Sequence, residues 1–447
     1  MPMGRLVPDM ALPMMLSLLI QSLYNIVDSI FVARLSEEAL TATSLAYPVQ
    51  MLMIAVGVGT AVGLNAVLSR TLGAGKREEA SAVATPGVLL AVLNGLIFTL
   101  VGLFFSGTIA NAFTSDTRIA QDCRAYLYIC LVFSMGNIVS MMYQRLMQAT
   151  GKTFLSMVIL AVGAVINLIL DPILIFGLLG APALGIRGAA AATVIGQWIS
   201  MLVGFYLQAV YNTDVTVTFR GFRLNMKYVR GIYRVGLPTI ITQALQSMMV
   251  TGVNAILQPF STTAVAFFGV YYKLQNFLFM PVNGLGQAAI PIVGFNYGAG
   301  NKKRIYEAVK VVYPFAAVIA LAGTMIFELL PGQLLGLFSA GEEMLSFGIP
   351  ALRILSPIFI PAAMTLVSGY TASGLQDGLT NMLAAILRQF VPLLPCAFVL
   401  ARTGGIGTVW YAFWISELCG LVFALLRIRR IFRRKVAGMT DGDDARK

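Results

Sequence analysis

Twelve apolar stretches, each long enough to cross the hydrocarbon core of a bilayer, decide what this chain can fold into. They cover residues 11–35, 45–69, 81–106, 123–147, 154–178, 187–210, 235–258, 264–293, 306–330, 350–373, 379–401 and 406–427. A crossing takes about 20 apolar residues, and in lipid every backbone N–H and C=O must find its partner within the protein, so stretches of this length predict helices. The expectation is an all-α polytopic membrane protein with twelve transmembrane helices. Composition agrees, since 11% of the 447 residues are charged against about 25% in a soluble protein. The first stretch is too long for a cleavable signal peptide and runs into Glu37 and Glu38, not into a small-residue cleavage site.

An even number of spans puts both termini on one side. Arg5, Arg70, Lys76, Arg77, Arg145, Lys152, Arg220, Arg223, Lys227, Arg230, Arg234, Lys302, Lys303, Arg304, Lys310 and the cluster from Arg427 onward fall on that side, and only Arg34, Arg118, Arg124, Arg187, Arg353 and Arg402 on the other. The excess of basic residues predicts cytoplasmic termini in a cell (inner) membrane, so the net charge of +12 reads as topology and not as nucleic-acid binding.

The two halves repeat. A shift of 225 residues aligns Leu12-Pro13 with Leu237-Pro238, Gln21-Ser22 with Gln246-Ser247, Ser36 with Ser261, Ala39 with Ala264, Tyr47 with Tyr272, Gln50 with Gln275, Gly59 with Gly284, and Gly73-Ala74-Gly75 with Gly298-Ala299-Gly300. This predicts two pseudo-symmetric six-helix bundles: an amino-terminal lobe over 1–210, a cytoplasmic linker over 211–234, a carboxyl-terminal lobe over 235–430 and a basic tail over 431–447. A cavity between such lobes is the expected solute path.

Where the halves differ, the acids stand out. An ionised Asp at mid-helix costs about 2.5 kcal/mol or more, so an intramembrane acid points to function. Asp28 lies in the first span where the repeat has Val253; the fifth span carries Asn167 and Asp171, four residues apart on one face, and its counterpart has Val391 near the place of Asp171. Counted inward from the outer ends of their spans, Asp28, Asp171 and Thr193 of the sixth span share a depth. Asp28, Asn167, Asp171 and Thr193 are therefore the candidate cation-coupling set, a hard-oxygen cage for Na+ or a site for a shared proton. The alternative is that Asn167 and Asp171 only join neighbouring helices. Asp28 with Gln21, Tyr24, Tyr47, Tyr143 and Met141 forms a candidate substrate surface, acidic, aromatic and adaptable; each of these side chains could equally pack or face lipid. Pro13 is either a harmless first-turn proline or a hinge below Asp28. Lys273, Arg388 and Glu417 put charge at mid-depth in the carboxyl lobe, where one or two internal ion pairs would satisfy most of it.

Much chemistry is absent. The sequence has no histidine. The ATGKT at 149–153 lacks the first glycine of a phosphate-binding loop, residue 146 being Leu, and no HExxH, GxSxG or CxxC occurs. An enzyme is not expected, nor a cofactor; transport would draw on a gradient of H+ or Na+.

These residues resemble a known family. The first-span LYNIVDSIFVARL, SRTLGAGKREEA with its repeat GFNYGAGNKKRI, QATGKT, and NLILDPILIFG followed by GIRGAAAAT are similar to the multidrug and toxic compound extrusion (MATE) family over essentially the whole chain. The resemblance implies a V-shaped pair of lobes, outward-open and inward-open states, and export of cationic or amphipathic drugs in exchange for H+ or Na+; the expected partners are such drugs and membrane lipid, with no nucleic acid, and the expected state is a monomer. It also implies a role for a first-helix Asp, a fifth-helix Asn and Asp and a sixth-helix Thr, which are Asp28, Asn167, Asp171 and Thr193 here. Spans 235–258 and 350–373 hold no acid, which resembles the DinF-like branch, coupled in the amino lobe. A lipid-linked oligosaccharide flippase of the same superfamily is the alternative; it would want several basic residues along its path, and Lys273 and Arg388 give two.

Overall fold

The structure, a computed structural model, describes residues 1–218, 225–338 and 341–439. Arg220 and Arg223 of the linker and residues 440–447 of the basic tail lie outside the described residues. Among those described there are helices and no strands. They run α1 (Met3–Leu35), α2 (Glu37–Gly73), α3 (Arg77–Phe113), α4 (Thr117–Val132), α5 (Met135–Ala149), α6 (Thr153–Phe176) and α7 (Ile186–Tyr211). After the basic connection come α8 (Met226–Leu257), α9 (Thr262–Gly298), α10 (Lys302–Leu329), the short α11 (Pro331–Gly336), α12 (Glu342–Leu355), α13 (Phe359–Gly374), α14 (Gly378–Gln389), α15 (Leu393–Gly404), α16 (Ile406–Val409) and α17 (Tyr411–Ile431). Eleven spans are long and apolar enough to cross a membrane, and the pair α4 and α5, bent by 45°, makes the twelfth. Each overlaps one predicted stretch, although α1, α2, α8 and α12 begin well before theirs and α3 ends after its own. That difference removes one reading of Pro13. With α1 starting at Met3, Pro13 and its repeat Pro238 are interior prolines, which cannot donate to the carbonyl one turn back.

The repeated small and polar residues turn out to be helix punctuation. Ser36 and Ser261 are N-caps, each accepting from the backbone N–H three residues on, that of Ala39 at 3.0 Å and of Ala264 at 3.2 Å. Gly75 and Gly300 end α2 and α9 with φ of +75° and +71°, a conformation that costs glycine nothing.

Two spans are interrupted, one by the bend between α4 and α5 and one by a 3-10 turn at Ser356–Ile358, and carbonyls at the two junctions are collected in parallel ways. Where α4 meets α5, Thr99 Oγ1 donates to Val132 O at 2.8 Å and Trp198 Nε1 to Phe133 O at 3.0 Å. Where α12 meets α13, Thr324 Oγ1 donates to Ser356 O at 2.9 Å and Trp414 Nε1 to Ile354 O at 2.7 Å. Thr324 lies 225 residues after Thr99, and Trp-Ile-Ser at 198–200 recurs at 414–416. Side chains that re-satisfy freed backbone groups are what make breaks tolerable inside a membrane.

The chain divides into two compact units, Leu16–Ile240 and Met1–Met15 with Ile241–Lys447. The boundaries differ from the sequence halves 1–210 and 235–430, because α1 and α8 each contribute to both units. Close backbone approach explains the difference. A Cβ on Gly59 would lie 2.7 Å from Gly236 O, and one on Gly284 would lie 2.7 Å from Met15 N; these glycines let α2 hold the start of α8 in one unit and α9 hold the start of α1 in the other. The changeover points, after Met15 and after Ile240, keep the spacing of the repeat. The first unit closes over a core with Leu64, Leu68, Leu127, Leu131, Ile138 and Met142 fully buried. The second is more aromatic, with Phe267 edge-on to Trp410 at 5.0 Å and Phe359 edge-on to Phe327 at 4.9 Å.

Candidate functional site

Within the unit Leu16–Ile240, α6 and α7 pack closely enough for backbone to meet backbone. A Cβ on Gly196 would stand 2.7 Å from Gly163 O and 3.2 Å from Asn167 Cβ, so only glycine allows this approach. The consequence is a buried hydrogen-bonded string. With its amide turned to suit both neighbours, Asn167 donates from Nδ2 to Asp171 Oδ2 at 3.2 Å and accepts at Oδ1 from Thr193 Oγ1 at 3.2 Å and from the Thr193 N–H at 3.1 Å. Asp171 has no solvent exposure, and Asn167 and Thr193 are also buried.

Asp28 of α1 faces this string. Its carboxyl lies within hydrogen-bonding range of that of Asp171, while its Oδ1 is buried with no protein partner. Two ionised carboxylates so placed repel strongly where little water reaches them, so the pair is suited to holding one proton between its members. The four residues the sequence singled out for cation coupling are therefore brought together, from α1, α6 and α7.

The donor set bears on which cation fits. Asn167 turns its N–H group toward Asp171, so the amide supplies a hydrogen bond to the carboxylate and no oxygen to an ion sitting beside it. Thr193 is held by the far side of the same amide. A cation between Asp28 and Asp171 would have their carboxylate oxygens to bind, while the Asn167 amide oxygen is engaged with Thr193.

The candidate substrate residues part company. Tyr24, one helical turn before Asp28, interacts electrostatically with both carboxyls. Gln21 is half-buried one turn further back and Tyr47 is exposed. Tyr143 is instead buried, edge-on to Phe205 at 6.3 Å and against Gly204, and Met141 lies half-buried beside Gly57; both fill the helix packing. Three residues that sequence reasoning missed join the cluster. Gln50 of α2 hydrogen-bonds Tyr126 and Cys130 of α4, and both of these interact with Asp28. Tyr126 and Cys130 stand four apart, hence on one helix face, and Gln50 is one of the repeated residues, so the signal was spacing and not charge. In the other unit Lys273 is exposed instead of buried, while Arg388 and Glu417 form an ion pair of 3.4 Å.

Comparison with known proteins adds three findings. The model of the family described as MatE matches residues 13–173 and again 238–399, once in each half and beginning at the two repeated prolines. Among relatives, the multidrug export protein MepA of Staphylococcus aureus (strain MRSA252) is 26% identical over 430 residues, 95% of this chain and 93% of that protein; the probable multidrug resistance protein NorM of Thermotoga maritima is 24% identical over 416 residues, 93% and 89%. Among solved structures, a MOP superfamily transporter from Pyrococcus furiosus superimposes with a TM-score of 0.90 at 25% identity, covering 96% of each chain. A MATE in its bent conformation gives 0.89 at 24% identity over 97% of each, a likeness of fold.

Proposed function

The chain belongs to the MatE family and is a transporter, not an enzyme, and from that premise we propose that it exports bulky cationic organic compounds across the cell membrane in exchange for protons. The observation that carries the reading is the facing pair Asp28 and Asp171, with one Asp28 oxygen buried and unpartnered. In its unprotonated form the pair presents negative charge beside the rings of Tyr24 and Tyr126, a surface that attracts an aromatic cation. Proton uptake removes that charge. Drug and proton then compete for one group, and each drives the other off. The amide N–H on Asp171 supports H+ over Na+ as the coupling ion. Basic residues concentrated on the side of both termini support a cytoplasmic location for them, and a monomer suffices because Asp28, Asn167, Asp171 and Thr193 come from a single chain. The names of the MepA and NorM relatives support drugs as substrates. A flippase reading has less behind it, since Arg388 already has its counter-charge in Glu417.

Proteoliposomes test the proposal. An imposed pH gradient in Na+-free buffer should drive uptake of a cationic dye, a Na+ gradient alone should not, and Asp28→Asn should abolish the driven component while the protein stays folded. Dye transport that needs Na+, or undiminished transport by Asp28→Asn at equal abundance, overturns it.

A further inference from the structure

The carboxyl-terminal unit has no counterpart of Asp28 or Asp171, yet it buries a charge pair on the two spans equivalent to those of Asn167, Asp171 and Thr193. Where α6 is continuous, the equivalent span breaks between α14 and α15 at Pro392, which has no N–H to give to Arg388 O. Interrupted membrane helices gather at ligand sites because their ends expose unpaired backbone and a local dipole. Arg388 lies in the last turn of α14, where a cation is favoured. Its stem crosses α17 at Gly420, whose Cβ would sit 3.2 Å from Arg388 Cβ, and this lets Nε reach Glu417 Oε1 at 3.4 Å.

The pairing is half complete. Glu417 is 7% exposed and its second oxygen, Oε2, is buried with no hydrogen-bond partner; the hydroxyl of Tyr271, fully buried on α9, also has none and interacts electrostatically with both charges. A structural ion pair is stable in a membrane when its lone pairs are filled by donors, and this one leaves a carboxylate oxygen bare. The elements packed against α17 carry Glu342, Glu343, Arg353, Tyr370, Arg388, Cys396 and Arg402, with Arg433, Arg434 and Lys435 in the turn that follows it and Tyr271 reaching it from α9, and of these Arg388 is the charge that acts on Glu417.

We propose that Glu417 is a second proton-binding site of this transporter, with Arg388 as its counter-charge. A proton from the aqueous phase adds to the free carboxylate oxygen, giving a neutral acid with the unpartnered Tyr271 hydroxyl among its buried surroundings. Arg388 is left uncompensated, and the unit gains one positive charge. Proton uptake here would repel a cationic substrate just as proton uptake at Asp28 and Asp171 withdraws its attraction. The inference rests on the proposed proton-driven export.

The test measures how much dye a fixed pH gradient can hold. Each coupled proton multiplies the accumulation sustained by one pH unit by about tenfold, so Glu417→Gln should lower that ratio about tenfold relative to wild type, with export continuing through Asp28 and Asp171. Arg388→Gln/Glu417→Gln, which removes both charges together and avoids a lone buried cation, should show the same loss and serves if the single variant does not fold. If Glu417→Gln folds but does not transport, infrared spectra on acidification decide: a protonated-carboxyl component in wild type over and above that of Asp28 and Asp171, and lost in the variant, supports the site, and a wild-type-minus-variant difference with no such component overturns it. An unchanged accumulation ratio in the variants makes the pair structural and overturns this proposal alone. A wild type indifferent to the pH gradient overturns the proton-driven reading and this one with it.

Discussion

Replacing Gly196 with Ala adds one methyl group at a point where α6 and α7 touch, and alters no polar atom of the candidate site. The added Cβ would stand 2.7 Å from Gly163 O, and ordinary contact begins at 3.4 Å, so the helices must part by about 0.7 Å. Shifted by that amount, the 3.2 Å bond between Asn167 and Thr193 would open to about 3.9 Å, beyond hydrogen-bonding range. Overpacking costs about 1–3 kcal/mol and the lost bond about 1 kcal/mol more. The amino unit should melt lower, and because Asn167 no longer holds Asp171 in place, drug export should fall roughly tenfold, the effect of about 1.4 kcal/mol. The assay pairs dye efflux at matched membrane abundance with thermal unfolding in detergent. Gly269→Ala is the control, since a Cβ there meets nothing within 4 Å and should be tolerated. Wild-type efflux and melting in Gly196→Ala would refute the claim that this close approach positions the site.

Three further outcomes are expected. Asn167→Ala leaves buried Asp171 without its amide donor, at a cost of about 1–3 kcal/mol or more, so export and thermal stability should fall together, and a variant with both intact would show the amide to be dispensable. Tyr143→Phe should export normally because the ring packs edge-on to Phe205, whereas Tyr24→Ala should weaken drug binding several-fold in a fluorescence titration; the reverse ranking would restore Tyr143 to the substrate surface. Pro13→Ala restores an N–H inside α1 and should slow transport without weakening drug binding, so an unchanged transport rate would leave the proline with no part in the cycle.

The spans were legible because lipid imposes one rule on all of them. Helix starts were not: the polar beginnings of α1 at Met3 and α8 at Met226 carry no apolar signal, which is how Pro13 could pass for a first-turn residue. Asp28, Asn167, Asp171 and Thr193 stood out because charge is rare in such helices and depth can be counted at a fixed rise per residue. Gln50, Tyr126 and Cys130 did not, since uncharged residues are as common in plain packing. That Lys273 is exposed and Tyr143 buried is not legible for a related reason: depth along a helix says nothing of which way a side chain points. The pairing of Arg388 with Glu417 needed the break at Pro392 and the bare surface of Gly420 to be seen together.

The exchanged starts of α1 and α8 also set an order on biosynthesis. The face of α2 around Gly59 receives Gly236, about 180 residues later in the chain, so at roughly 5–20 residues per second it stays uncovered for roughly 9–36 s after it leaves the ribosome. Met1–Met15, made first of all, has its seat on α9 at Gly284 and must wait longer still. Each half of the gene lacks a segment of the unit it mostly encodes, the start of α8 in one case and Met1–Met15 in the other. Expressed as separate fragments cut at the basic connection, the halves should be recovered only when made together, each lending the other the first turns of a helix.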